Sequence, residues 1–266
     1  MFGIASLLHI LVLRDIRTSM FKTHRCHKKE FLLKFAKDRE CWLRWLFEAK
    51  NRYGLCVLNY VVTSNHIHLL VKDTGDNAIS KSMQLIAGRT AQEYNIRKER
   101  KGAYWEDRYH ATAVQTDDHL IKCIAYIDLN MVRAGIVPHP QDWQHAGYRE
   151  IQSPPKRYRL INLTTLMELI GVDKLENLRQ YHSQWVETQL SGENAWDENW
   201  ANSIAVGNES FVNEIYHLLG SKVKSRTVVE EEDKFVLKEP SVSYNDVFAP
   251  KMGSLRGKNT LFWDMN

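Results

Sequence analysis

Two histidines separated by one apolar residue, His66-Ile67-His68, stand between the runs Val61-Val62 and Leu69-Leu70-Val71. Further along, Tyr126 and Asn130 lie four residues apart. In an extended segment residues i and i+2 point to the same face, so both imidazoles look one way. In a helix residues i and i+4 are stacked one turn apart, which gives the Tyr126 phenol and the Asn130 amide a common face. Two imidazole nitrogens and an amide oxygen suit a divalent cation. A phenol with a pKa of about 10 is a weak nucleophile at neutral pH. It gains from a cation that stabilises charge on a phosphate and from a fixed attack geometry. Lys122, one turn before Tyr126, shares its face and could orient a phosphate. Each residue also has a plainer reading: surface histidines, an aromatic packed on a sheet, a polar helix end, a solvated lysine.

The elements that must position these groups follow from periodicity. Residues 7–14 are rich in Leu, Ile and Val and read as a first strand. Over residues 28–52, Phe31, Leu32, Phe35, Trp42, Leu43, Trp45 and Leu46 recur at helical spacing, and Tyr53-Gly54 ends the element. Residues 55–62 and 66–72 read as strands around the polar turn Thr63-Ser64-Asn65. A second amphipathic helix spans residues 77–97, and residues 108–114 alternate like a fourth strand. Thr116-Asp117-Asp118 opens a third helix through residue 132, closed by Ala134-Gly135. The order strand, helix, strand, strand, helix, strand, helix predicts an α+β fold. It is a ferredoxin-like split-βαβ antiparallel sheet with helices on one face and one helix appended.

Near Ser153-Pro154-Pro155-Lys156 the character changes, which divides the chain into a unit at 1–152, a mostly helical C-terminal extension at 153–220 and a loosely ordered tail at 221–266. Helices are expected at residues 163–170, 174–190 and 210–219.

The chain has 266 residues, 44% of them hydrophobic, enough for one substantial core. A formal charge of +4 permits nucleic acid without demanding it. Four cysteines, Cys26, Cys41, Cys56 and Cys123, form no C-x-x-C pair and read as reduced thiols. No apolar run approaches a membrane span, so a cytoplasmic location without membrane contact is expected. Basic residues beside aromatics suit single-stranded nucleic acid. Arg97, Lys98, Arg100 and Lys101 after the second helix, with Trp105 and Arg108, are the candidates for that contact. A solvated helix end and a core tryptophan are the competing readings.

Four motifs in order resemble one family. The segment 60–70 is similar to the HUH segment of the REP-associated tyrosine transposases, relatives of the single-strand transposases of insertion sequences. Gly102-Ala103-Tyr104-Trp105-Glu106-Asp107-Arg108-Tyr109-His110 resembles their G-x-x-W-x-x-R-Y-H segment. Residues 126–137 resemble Y-I-x-x-N-P-V-R-A-G-x-V, and Asp142-Trp143 through Tyr148-Arg149 resemble D-W-x-x-S-S-Y-R. The resemblance covers roughly residues 7–150. It implies that His66, His68 and Asn130 hold Mg²⁺ or Mn²⁺ and that Tyr126 attacks DNA beside a hairpin, leaving a 5′-phosphotyrosine and a free 3′-hydroxyl. It implies single-stranded hairpin DNA as partner, with monomer and homodimer both open. The chain departs from the pattern at Met131, where proline is usual, at Ala146-Gly147, in place of S-S, and at Arg14-Asp15-Ile16-Arg17, which lacks the glycine of R-G-x-x-R. Two other functions stay open from the residues: a catalytically idle hairpin-binding regulator, and a replication-initiation or relaxase-type nickase.

Overall fold

The computed structural model describes residues 19–116, 118–192, 199–220, 226–231 and 234–238. Its first half runs β1 (Ser19–Arg25), α1 (Ala36–Tyr53), β2 (Cys56–Val62), β3 (His66–Lys72), α2 (Ala78–Arg97) and β4 (His110–Val114). These strands lie in the order β2-β3-β1-β4, every neighbouring pair antiparallel, which is the expected split-βαβ arrangement. Helices α1 and α2 pack side by side on one face. There, His24 of β1 stacks on Trp105, whose indole N–H donates to Ala87 O of α2 at 3.0 Å.

The appended helix divides in two. α3 (Asp118–Asp128) and α4 (Asn130–Arg133) are joined at Leu129, whose ψ of 0° departs from helical values, so the unbroken helix expected through residue 132 is interrupted just before Asn130. α3 covers the opposite face of the sheet, where Tyr126 meets Phe21 of β1 and His68 of β3 edge-on.

Two starts differ from the sequence reading. The expected strand at residues 7–14 lies outside the described residues, and the strand that opens the described sheet is β1. Its alternation is masked because Ser19, Lys22 and His24 are themselves buried. Helix α1 begins at Ala36 rather than residue 28. Residues 27–35 instead form a turn in which Lys28 and Lys29 adopt positive φ while Leu32 and Leu33 anchor in the core. Its end is as expected: Gly54, at φ 67°, takes the left-handed position that a side chain resists.

The second half runs α5 (Gly147–Gln152), α6 (Leu163–Ile170), α7 (Leu175–Ser191), α8 (Asn199–Asn202), β5 (Ser203–Gly207), α9 (Glu209–Leu219), β6 (Thr227–Glu231) and β7 (Lys234–Lys238). The three predicted helices are present. The extension also builds the sheet: β5 pairs parallel with β4, and β7 and β6 follow, giving seven strands in the order β2-β3-β1-β4-β5-β7-β6. The loosely ordered stretch expected from residue 221 therefore does not hold for β6 and β7. Val228, Phe235, Val236 and Leu237 supply a hairpin's apolar surface, and β7 docks on β5. At the other edge, Ala146 and Ile161 bridge to β2 and shield it. The departure at Gly147 has a steric cause. A methyl group there would lie 2.2 Å from Asn59 Oδ1 and 2.9 Å from Ile161 Cδ1. Among the described residues no helix is long and apolar enough to cross a membrane.

Candidate active site

Strand pairing assembles the first part of the site. Register places Arg25 opposite His66, and Thr23 opposite both His68 and His110. Directly opposite residues in antiparallel strands share a face, so these side chains form a row across β3, β1 and β4. The turn before His66 is tied by Thr63, whose hydroxyl accepts from the His66 backbone N–H at 3.0 Å and donates to His66 O at 2.8 Å. His66 Nδ1 lies 2.7 Å from Asn65 Oδ1 and 3.1 Å from Thr63 Oγ1. Donation from Nδ1 to the Asn65 carbonyl leaves the Nε2 lone pair for a ligand. Orientation of a metal-binding histidine through its other nitrogen follows the same logic.

His68 is held by packing. Its ring lies parallel to Phe21 at 5.3 Å and perpendicular to His66 at 4.7 Å. Both of its ring nitrogens are buried with no hydrogen-bond partner among the described residues. Orphaned buried nitrogens are costly unless something binds them. Burial pushes His66 down to about 4, helped by Arg25, and holds His68 well below the usual histidine range, with His66, Arg133 and Arg25 adding to the effect. Both imidazoles are thus neutral near pH 7, the form a metal ion requires.

Tyr126 comes from the opposing helix, its ring 5.8 Å from that of His68. Trp200 of α8 backs it at 6.5 Å, and the guanidinium carbon of Arg133 sits 4.5 Å over the phenol ring. Arg133 also donates to Tyr126 O. A cation over an aromatic face is attracted by the ring, and more strongly by a phenolate than by a phenol.

A cleft of about 550 Å³ joins these groups; Arg25, His66, His68, Arg108, His110 and Tyr126 are among the residues lining it. Asn130 is buried, its amide nitrogen lacks a partner among the described residues, and it is not among the cleft's lining residues. The cleft therefore brings together His66, His68 and Tyr126, whereas Asn130 is buried at the start of α4 and does not line it. Among the described residues no three His, Cys, Asp or Glu side chains group to hold a metal. The two neutral imidazoles suit a divalent ion with positions left open for phosphate oxygens, and Asn130 would have to turn its carbonyl toward the cleft to join them.

The candidate DNA contacts separate. Arg108 lines the cleft. Lys122 and Lys101 are exposed, and Lys98 lies beside the Phe35 ring at 5.4 Å. Arg97 is paired with the buried Asp38. Arg100 donates to Ala103 O at 2.7 Å and to Glu30 at 3.3 Å, which closes its own loop. Trp105 is half-buried against His24. Sequence reading missed Arg25, His110 and Arg133. The last two sit inside the R-Y-H and R-A-G motifs, so a signal existed. Arg25 had none, because only strand register brings it to His66.

Residues 6–130 match the model of a family described as transposase IS200 like. Among solved structures, the chain is similar to a REP-associated tyrosine transposase bound to a REP hairpin. The identity is 16% and the TM-score 0.44, over 54% of this chain and 84% of that one. No curated protein matches. Over residues 6–130, then, the chain is similar to the IS200-like transposases.

Proposed function

We propose that this protein is a metal-dependent HUH tyrosine endonuclease and strand transferase that cuts single-stranded DNA beside hairpins. The observation that carries the reading is a cleft lined by Tyr126, His66 and His68, with the Tyr126 ring edge-on to that of His68 at 5.8 Å. Tyr126 Oη attacks the scissile phosphorus, the bond to the 3′-oxygen breaks, and a 5′-phosphotyrosine forms. The phenol proton is lost to solvent, and the departing 3′-oxygen takes one up. Rejoining reverses these steps with another 3′-hydroxyl, and needs no nucleotide because the ester bond is conserved in the adduct. Mg²⁺ or Mn²⁺ held by His66, His68 and Asn130 would draw charge from the phosphate and steady the leaving oxygen. Arg133 favours the anionic phenol by its place over the ring. Arg25 and Arg108, on the cleft wall, offer charge-assisted hydrogen bonds to phosphate oxygens. The reaction unit is residues 1–152, with residues 153–220 supporting it by adding β5 to its sheet and α7 to its tyrosine helix.

The test uses purified protein, end-labelled hairpins with single-stranded flanks and either metal, resolved on a denaturing gel. A labelled protein band is expected, absent with EDTA and absent for Tyr126→Phe, while hairpin binding by that variant persists. Nicking by Tyr126→Phe at the wild-type rate would show that another group is the nucleophile.

A further inference from the structure

We propose that the turn between β1 and α1 is a stacking platform for the unpaired DNA strand next to the hairpin, with Phe31 and Phe35 as its base-stacking rings. This rests on the reading of the protein as a single-strand nuclease and says where the strand runs.

Within the turn, Leu32 and Leu33 are buried at 6% and 0% exposure, whereas Phe31 and Phe35 stand at 65% and 57%. The segment therefore has its core anchors already, and the two phenyl rings are not needed for folding. Lys34 and Lys98 approach the Phe35 ring at 5.9 and 5.4 Å, and exposed Lys28 and Lys29 lie three and two positions before Phe31. Lys28 and Lys29 both adopt left-handed backbone, with φ of 50° and 59°. For residues with side chains this is a strained state that persists only where the surroundings enforce it.

What enforces it is the turn that carries His66. Cys26 N donates to Asn65 O at 2.8 Å, Leu33 N to Ser64 O at 2.9 Å, and the Asn65 side chain to Lys29 O at 3.3 Å. The platform is thus built on the same backbone as the candidate metal ligand. Phe31 is six positions along the chain from Arg25 on the cleft wall, so their Cα atoms lie within about 22 Å of one another.

The chemistry selects the occupant. Exposed rings interleaved with ammonium groups match a polymer that alternates aromatic faces with phosphates. In a duplex the base faces are already stacked on one another, so the rings can engage only unpaired nucleotides. An apolar peptide would have to desolvate the lysines without neutralising them.

The experiment measures fluorescence anisotropy of full-length protein with labelled oligothymidylate, with a hairpin bearing a single-stranded flank, and with the same hairpin made blunt. Phe31→Ala and Phe35→Ala should each weaken oligothymidylate and flanked-hairpin binding by about 5- to 100-fold, the span expected for loss of one base stack. Blunt-hairpin binding and the thermal midpoint should not change, because both rings are exposed. Phe35→Trp should restore binding. Unchanged affinity for the flanked hairpin in the double variant overturns the platform, as does equal weakening of the blunt hairpin. Self-association that the variants abolish while DNA affinity stays the same overturns it in favour of a second copy. Adduct formation by wild-type protein is scored separately. Its absence with intact, ring-dependent strand binding would refute the nuclease and leave the platform standing.

Discussion

Removing the His182 imidazole should destabilise the fold by about 3 kcal/mol, because it breaks a buried polar network that ties the extension to the tyrosine helix. His182, on α7, is 2.7 Å from Asp128 Oδ2 through Nε2, and both side chains are shielded from solvent. Its Nδ1 faces the Gln152 amide at 2.9 Å, which assigns Nδ1 as acceptor and Nε2 as donor. Asp128 Oδ1 accepts from Asn59 Nδ2 at 3.1 Å, so α3, α7 and β2 meet at one carboxyl group. His182→Ala leaves Oδ2 as an orphaned buried acceptor, costing about 1–3 kcal/mol. The Gln152 amide keeps its bond to Arg179 O, so little is added there. Lost packing against Tyr148, whose ring is 4.9 Å away, contributes about 1–2 kcal/mol. In a chain of this size each kcal/mol moves Tm by about 2–4 °C, which gives a fall of about 6–12 °C. His182→Leu refills the volume without the donor and should recover less than half of the loss. Calorimetry on full-length protein decides the matter. A fall below about 2 °C for the alanine variant, or full recovery by leucine, would refute the claim that the hydrogen bond holds α7 to α3.

Lys22, on β1, is 1% exposed, and burial pushes it down to about 7 despite the opposing pull of Asp73. Between about 7 and 10.5 the unfolded chain binds a proton that the folded chain has shed, so this group makes stability rise with pH across that window. Denaturant titrations of Lys22→Met should show a variant more stable than wild type at pH 7, with the difference shrinking toward pH 10. A difference that does not vary with pH would contradict this. Arg133→Ala should slow adduct formation at saturating DNA by about 5- to 30-fold, the worth of about 1–2 kcal/mol for a desolvated cation over a ring. Arg133→Lys should recover part of the rate in single-turnover assays; wild-type rates in both variants would remove Arg133 from the mechanism.

Local spacing was enough to place much of the fold. The apolar runs of β2 and β3 around their polar turn marked two strands, whose extended geometry put His66 and His68 on one face, and helical periodicity marked α2, α6 and α7 to within a residue. Gly54 ended α1 for a reason that resides in a single residue's φ. Helical spacing also suggested a shared face for Tyr126 and Asn130, but the chain divides into two helices at Leu129 and only Tyr126 lines the cleft. It could not read β1, where buried Lys22 and His24 break the apolar alternation, nor the turn that replaces the first part of the expected α1. Tertiary structure alone decided that α3 lies on the face opposite α1 and α2, and that Arg25 and Arg133 join the histidines. It alone showed that the extension supplies β5 to the sheet and His182 to the tyrosine helix. Those outcomes depend on strand register and on buried contacts between residues distant in sequence, such as His182 with Asp128, 54 positions apart, and Asn59 with Asp128, 69 apart. Periodicity reports which face of an element is apolar; it carries no information about which distant element will cover it.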